Sequence, residues 1–262
     1  MSAAPSWDDL GTSVEGHVGV IELRRPPHNF FDLDLLTRLA DAVDHLEQDG
    51  CRALVLCAAG TAFCAGADFA QAGGSSGLQT PPEGVNPVYA QALRIFGNRR
   101  PIVAAVEGPA VGGGLGLALA VDFRIACNEA RFSANFTRLG IHPGFGLSVT
   151  LPRLVGEQAA AMLFFTGRRV DGREAQAMGL VDVLVSRSEV RRAAMQLAAE
   201  IAGSAPLAVE DLRQTLRRDL LVRVEAAVQR ESAVQYRHFL TQDFREGVAA
   251  MAQRRAPGFK GL

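Results

Sequence analysis

Apolar positions along the chain fall into two patterns, short unbroken runs and longer stretches at helical spacing. ALVLCA (53–58) and the run from Ile102 through Val106 are strand-length apolar segments, the form expected of strands covered on both faces. Residues 14–23 alternate around His17 and Gly19, which predicts a hairpin arm or edge strand stopped by Arg24, Arg25, Pro26 and Pro27. Asp32 or Asp34 can cap a helix carrying Leu35, Leu36, Leu39, Val43 and Leu46 on one face. Another helix near 89–96 precedes the strand from Ile102. The order β, α, β predicts a parallel sheet with crossover helices. From Leu151 onward the pattern is mainly helical, over 157–165, 174–178, 190–202, 207–220, 222–239 and 243–254, with a short strand at VDVLV (181–185).

The segment VAAVEGPAVGGGLGLALAVDFRIA (103–126) carries the first candidate chemistry. Its strand ends at Gly108 and Pro109, and Gly112, Gly113 and Gly114 precede an apolar helix restarted by Leu115, Leu117 and Leu119. Glycines leave backbone N–H groups uncovered, and the first amides of a helix lack internal partners and sit at the positive end of its dipole. Two readings follow: a helix start that holds an anion, or close packing of helix on sheet. Neither G-x-G-x-x-G nor G-K-[ST] is met, which disfavours a nucleotide loop. TAFCAGADF (61–69) repeats the construction after strand 53–58, with Gly66 at the close approach and a helix start at Ala67 and Asp68. Two strand ends, each offering one exposed amide, can converge on one carbonyl oxygen and stabilise the charge it gains when a neighbouring carbon is deprotonated or attacked.

Composition narrows the classes. The chain has 262 residues, 48% hydrophobic and 21% charged, with a net charge of -1, which suits one large domain or a domain with a small appendage. That balance gives no argument for nucleic acid or an acidic membrane surface. No apolar run nears the roughly 20 residues that span a bilayer, and MSAAPSWDDLG lacks the features of a signal peptide, so a cytoplasmic protein with no membrane partner is expected. Cys51, Cys57, Cys64 and Cys127 lack metal-ligand spacing; free buried thiols and no metal site are expected. AQAGGSSGLQTPPEGVNP (70–87) reads either as a mobile loop over a pocket mouth or as an idle insertion.

AFCAGADF, then AAVEGPAVGGGLGLALAVDFRIA, then RFSANFTRLGIHPGFGLSVTLPRLVG together resemble the crotonase (enoyl-CoA hydratase/isomerase) superfamily, over nearly the whole chain from VEGHVGVIELRRPPHNFFDLDLL to AQRRAPGFKG. The resemblance implies an α/β fold, with a crotonase-like ββα-repeat spiral core over 1–200 and a C-terminal helical region over 201–262 that builds a trimer interface and a lid. It implies a homotrimer or dimer of trimers. It further implies an enzyme on acyl-CoA thioesters, with coenzyme A as part of the substrate, no prosthetic group, and an oxyanion hole made by the N–H groups of Ala67 and Gly113. On the same grounds the coenzyme A portion meets Arg24 and Arg25 after the first strand and Phe259 and Lys260 in the closing APGFKG. Its adenine end is expected against backbone near Ala65, Ala67, Asp68 and Phe69, with Asp68 fixing the loop or capping a helix.

The positions that match the family's catalytic carboxylates are Gly116, Phe136 and, for some isomerases and dehalogenases, Gly144; none can transfer a proton. His142, in the stretch expected to line the acyl pocket, is the nearest titratable candidate, as an acid or base or as a side chain satisfied by a neighbouring carbonyl. Arg138 either orients an acyl carboxylate or is an exposed helix arginine. Glu107 and Asp122 fit roles in fixing turns, and Phe136 and Phe145 suggest an apolar wall. Two functions follow: an acyl-CoA lyase, isomerase or hydrolase driven by enolate stabilisation with ordinary hydration weak or absent, or a non-catalytic acyl-CoA-binding protein.

Overall fold

The computed structural model describes residues 9–69 and 85–262; the passage expected to cover the pocket mouth falls mostly on 70–84, outside the described residues. β1 (Leu10–Glu15) and β2 (Val18–Leu23) form an antiparallel hairpin registered from Leu10↔Leu23 to Glu15↔Val18. The alternating stretch of sequence is thus the end of β1, the turn and all of β2. Helix α1 (Leu33–Gln48) is capped by Asp32, whose side chain accepts the Leu35 N–H at 2.8 Å. Leu35, Leu36, Leu39, Val43 and Leu46 are all buried. Each such side chain contributes about 1.5–3 kcal/mol on burial, so this face fixes α1 in place.

Strand β3 (Ala53–Ala58), helix α2 (Pro87–Gly97) and strand β4 (Ile102–Val106) follow. Every residue of β4 is buried and only Ala58 of β3 is partly exposed, which explains their unbroken apolar sequence. After β4 the chain steps aside into β5 (Ala110–Val111), turns into α3 (Gly113–Ala120), returns as β6 (Phe123–Ala126) and steps aside again as β7 (Arg131–Ser133). A 3-10 helix (Asn135–Leu139) leads to α4 (Leu147–Val155). The strand, strand, helix unit therefore repeats, with the two strands of each unit in different sheets.

The remainder comprises α5 (Glu157–Thr166), β8 (Arg169–Asp171), α6 (Gly172–Ala177), β9 (Val183–Leu184), α7 (Val190–Ala202), α8 (Pro206–Phe239) and α9 (Gln242–Ala252). The larger sheet runs β1-β2-β3-β4-β6-β9, parallel from β2 onward, and the smaller runs β5-β7-β8. The helices expected over 207–220 and 222–239 are one helix of 34 residues, because no Gly or Pro lies between them to stop it. All four cysteines are buried free thiols, and burial pushes Cys64 up to about 12. Among the described residues no helix is long and apolar enough to cross a membrane.

Asp122, between α3 and β6, ties α8 to the sheet. It accepts the Ile102 N–H at 2.9 Å and pairs with Arg213 at 3.0 Å and Arg217 at 2.8 Å. Burial disfavours its charge, but Arg213 and Arg217 outweigh burial and hold the carboxyl below the usual aspartate range. Asp122→Asn leaves two guanidiniums short of an anion and is expected to lower the unfolding free energy at pH 7 by about 3–5 kcal/mol in urea titrations. Because the folded carboxyl is depressed, the wild-type advantage holds above the ordinary value of 3.8 and fades as pH falls through the folded value. A gap at pH 7 below about 1 kcal/mol would reduce the cluster to a surface ion pair.

Candidate active site

The loops that leave β3 and β4 run side by side. The Cys64 N–H donates to the Pro109 carbonyl at 3.1 Å and the Val111 N–H to the Cys64 carbonyl at 3.0 Å, a parallel bridge between Cys64 and Ala110. Gly66, at φ +85°, lies where a Cβ would meet the Val111 oxygen at 2.9 Å and the Gly113 nitrogen at 3.2 Å, and a Cβ at Gly114 would fall on the Cys64 carbonyl oxygen. Backbone can lie this close on backbone only at glycine. A second parallel bridge joins Phe31 to Ala67 through the Phe31 N–H and the Gly66 carbonyl, at 2.9 Å, so the Ala67 amide points to the other side of its strand. Gly113 opens α3 without a side-chain cap. Neither the Ala67 nor the Gly113 N–H has an acceptor among the described residues.

Both amides belong to residues lining a cavity of about 760 Å³, together with Ala65, Gly66 and Phe69 from the first loop and Gly112 from the second. No carboxylate is among its described lining residues, and Phe31, Tyr89, Phe136 and Phe145 supply aromatic walls. Gly116 and Gly144, two of the positions expected to match catalytic carboxylates, are crowded by neighbours. A Cβ at Gly116 would meet the Phe145 Cβ at 2.7 Å, and one at Gly144 would fall on the Tyr89 hydroxyl. Phe145 takes φ +63°, a conformation that side chains rarely adopt, and its ring lies 5.6 Å from that of Phe31 and 6.3 Å from that of Tyr89. The Tyr89 hydroxyl donates to the Gln235 amide oxygen at 2.5 Å. Burial, then the nearby Glu231 charge, pushes this phenol upward, so it stays neutral.

One face of α8 holds the loop that carries Gly144 and Phe145. Glu231 accepts the N–H groups of Gly146 at 2.8 Å and Ser148 at 3.0 Å. One turn on, the Gln235 amide donates to the His142 carbonyl at 2.7 Å, and the His238 ring accepts the His142 N–H at 2.9 Å. Burial raises the Glu231 carboxyl despite these donors, Ser148 and Gly146 acting against it.

The expected site residues separate into two groups. Ala65, Ala67, Phe69 and Gly113 line one cavity. From its own stretch the wall takes Ile141, Gly144 and Phe145 but not His142, whose ring bonds to the Pro143 carbonyl at 2.7 Å. Of the two readings of His142, the side chain bonded to a neighbouring carbonyl is the one this geometry matches, and two bonds to α8 hold its main chain. Arg24 and Arg25 stand outside the lining, Arg24 paired with Glu22 and Arg25 with Asp9 and Asp32. Asp68, Phe259 and Lys260 are likewise outside it; the Lys260 N–H donates to Asp243 at the start of α9. Arg138 turns to the Thr166 carbonyl. Tyr89 and Gln235 escape sequence reasoning because nothing in their spacing marks them. Asn29 escapes too; fully buried at φ +50°, it donates to the carbonyls of Ala59 and Ala62 and so sets the approach to Gly66, and the only signal was its position after two prolines.

Comparison with known proteins bears on the family and the fold. The family model described as enoyl-CoA hydratase/isomerase matches residues 13–262. A putative enoyl-CoA hydratase of Thermus thermophilus is 36% identical, covering 94% of this chain and 98% of its own, and a short-chain-enoyl-CoA hydratase of Clostridium acetobutylicum is 33% identical, covering 94% and 95%. A crystal structure of an enoyl-CoA hydratase/isomerase from Pseudoalteromonas atlantica superposes with a TM-score of 0.86 at 31% identity, covering 96% of this chain and all of its own. With a match along almost its full length in both sequence and structure, the chain has the crotonase fold and belongs to the enoyl-CoA hydratase/isomerase family.

Proposed function

We propose that the chain is an enzyme acting on an acyl-CoA thioester, in which the amides of Ala67 and Gly113 form an oxyanion hole that stabilises a thioester enolate. The observation that carries this reading is the pair of open amides on two loops locked together at Gly66 and Gly114, both belonging to residues that line one cavity with aromatic side chains on its wall. When the α-carbon loses a proton, its electron pair moves onto the thioester oxygen, and two preorganised donors are there to receive the charge. In related chemistry one such donor contributes about 2.7–4 kcal/mol. No carboxylate is among the described lining residues, so the proton passes to the His28 imidazole, which lines the cavity, to water or to a group on the substrate, and the reaction is a lyase, isomerase or hydrolase step other than ordinary hydration. A homotrimer or dimer of trimers fits the exposed Phe165, Leu212 and Leu216.

A second reading, a non-catalytic acyl-CoA-binding protein, is favoured by the way Phe145 and the Tyr89 hydroxyl occupy the space of two carboxylates. The readings part at the α-carbon. Proton exchange into deuterated water, followed by NMR on a bound saturated acyl-CoA, is expected for the enzyme and is absent for the inert binder. Crotonyl-CoA hydration is expected well below the enzyme-typical rate of about 10 per second; turnover at that rate would overturn the assignment.

Two substitution series extend the test. His142→Ala is expected to leave the exchange rate within about threefold of wild type, since the ring does not face the cavity. A hundredfold loss with binding retained would restore it as the base. The double variant Gly116→Glu with Phe136→Glu is expected to gain no hydration while Phe145 stands against residue 116. Adding Phe145→Gly, which removes the obstructing Cβ along with the ring and suits the positive φ, is expected to raise crotonyl-CoA hydration about tenfold or more, the lower end of what positioned acid–base groups supply.

A further inference from the structure

Three exposed arginines border the cavity: Arg131 on β7, Arg169 on β8 and Arg254 just past α9. The antiparallel register pairs Arg131 with Asp171 and Ser133 with Arg169, so Arg131 and Arg169 are diagonal neighbours on one face of the small sheet. Neighbouring arginines are neutralised: Arg168 pairs with Glu174 and Arg255 with Glu246. Arg131, Arg169 and Arg254 have no carboxylate partner among the described residues. Arg131 is held by the carbonyls of Asn128 and Ala130, and Asp171, across from it, caps α6 instead by accepting the Glu174 N–H.

Three guanidiniums bordering one cavity, none ion-paired with a carboxylate among the described residues, suit an anion. We propose that Arg131, Arg169 and Arg254 form an anion subsite for the far end of the acyl group, so that the preferred substrate is the thioester of a short dicarboxylic acid. Distance supports the short chain. β5, β7 and β8 are consecutive in the small sheet and Val111 pairs with Ser133, which pairs with Arg169; two strand spacings are about 10 Å, and Gly113 follows two residues after Val111. Guanidinium suits the task because its planar fork binds carboxylate in two-point fashion. The thioester oxygen held at one end and the carboxylate at the other would fix the α-carbon beside the aromatic rings, and immobilising the substrate in this way lowers the entropic part of the barrier.

This subsite rests on the acyl-CoA reading of the cavity, and the experiment separates the two. Calorimetry compares glutaryl-CoA, pentanoyl-CoA and free CoA on wild-type protein and on Arg131→Ala, Arg169→Ala and Arg254→Ala, each checked for an unchanged melting temperature. Wild type is expected to bind glutaryl-CoA about tenfold or more tightly than pentanoyl-CoA, with the ratio shrinking as salt is added. Each variant is expected to cut that ratio several-fold while its affinity for pentanoyl-CoA and CoA stays put. Equal binding of the two thioesters by wild type overturns the subsite. So does a uniform loss for all three ligands in the variants, which would assign the arginines to the phosphates of coenzyme A. If wild type binds none of the three, the acyl-CoA reading itself fails.

Discussion

The contact on which the site depends is made by main chain alone. Cys64 donates to the Pro109 carbonyl and accepts the Val111 N–H across the two loops, and Gly66 and Gly114 bring each loop's backbone against the other's where no Cβ fits. The strands behind them, β3 and β4, pair in parallel at Leu54↔Ile102 through Leu56↔Ala104, so the loops leave the sheet side by side and at the same end. Ligand sites in such sheets gather where parallel strands end. Here the strand ends also set the spacing of the Ala67 and Gly113 amides, and a side chain at either contact glycine would separate them. The strand, strand, helix repeat has a purpose in this light: the second strand of each unit steps out of the large sheet and walls the cavity beside those ends.

The parts of this arrangement that a sequence can announce are those with a period or a cap. Asp32 and the Leu35 to Leu46 face located α1, the unbroken apolar runs located β3 and β4, and α7 was found at its observed bounds. Strands β5, β7 and β8 have two or three residues each, too few to show alternation, whereas β9 lies inside the apolar run VDVLV. The whole small sheet was therefore invisible. The doubled glycine construction was legible because glycine is the one residue whose absence of a side chain is itself a signal. What fills the space beside it was not: Phe145 stands against Gly116 from a residue in the left-handed region, and Tyr89 reaches Gly144 from α2. Sequence spacing marks the two glycines but not the aromatic groups packed against them.

The left-handed Phe145 needs a surrounding structure that determines it more strongly than its own preference opposes it, because a bulky residue at positive φ costs on the order of 1–3 kcal/mol. Glu231, Gln235 and His238 supply that determination from one face of α8, bonding to the main chain at His142, Gly146 and Ser148 on both sides of Phe145. The Glu231 carboxylate takes the place of a missing cap at the start of α4, whose own first residues offer none. Burying that carboxyl is unfavourable, as its upward displacement records, and the donors from Ser148 and Gly146 offset part of the cost. Because these bonds go to main-chain atoms, the loop's path is fixed independently of the side chains it displays. A carboxylate or a phenyl ring at 145 would be presented to the cavity along the same path, so the chemistry of this wall can change without change in the scaffold that holds it.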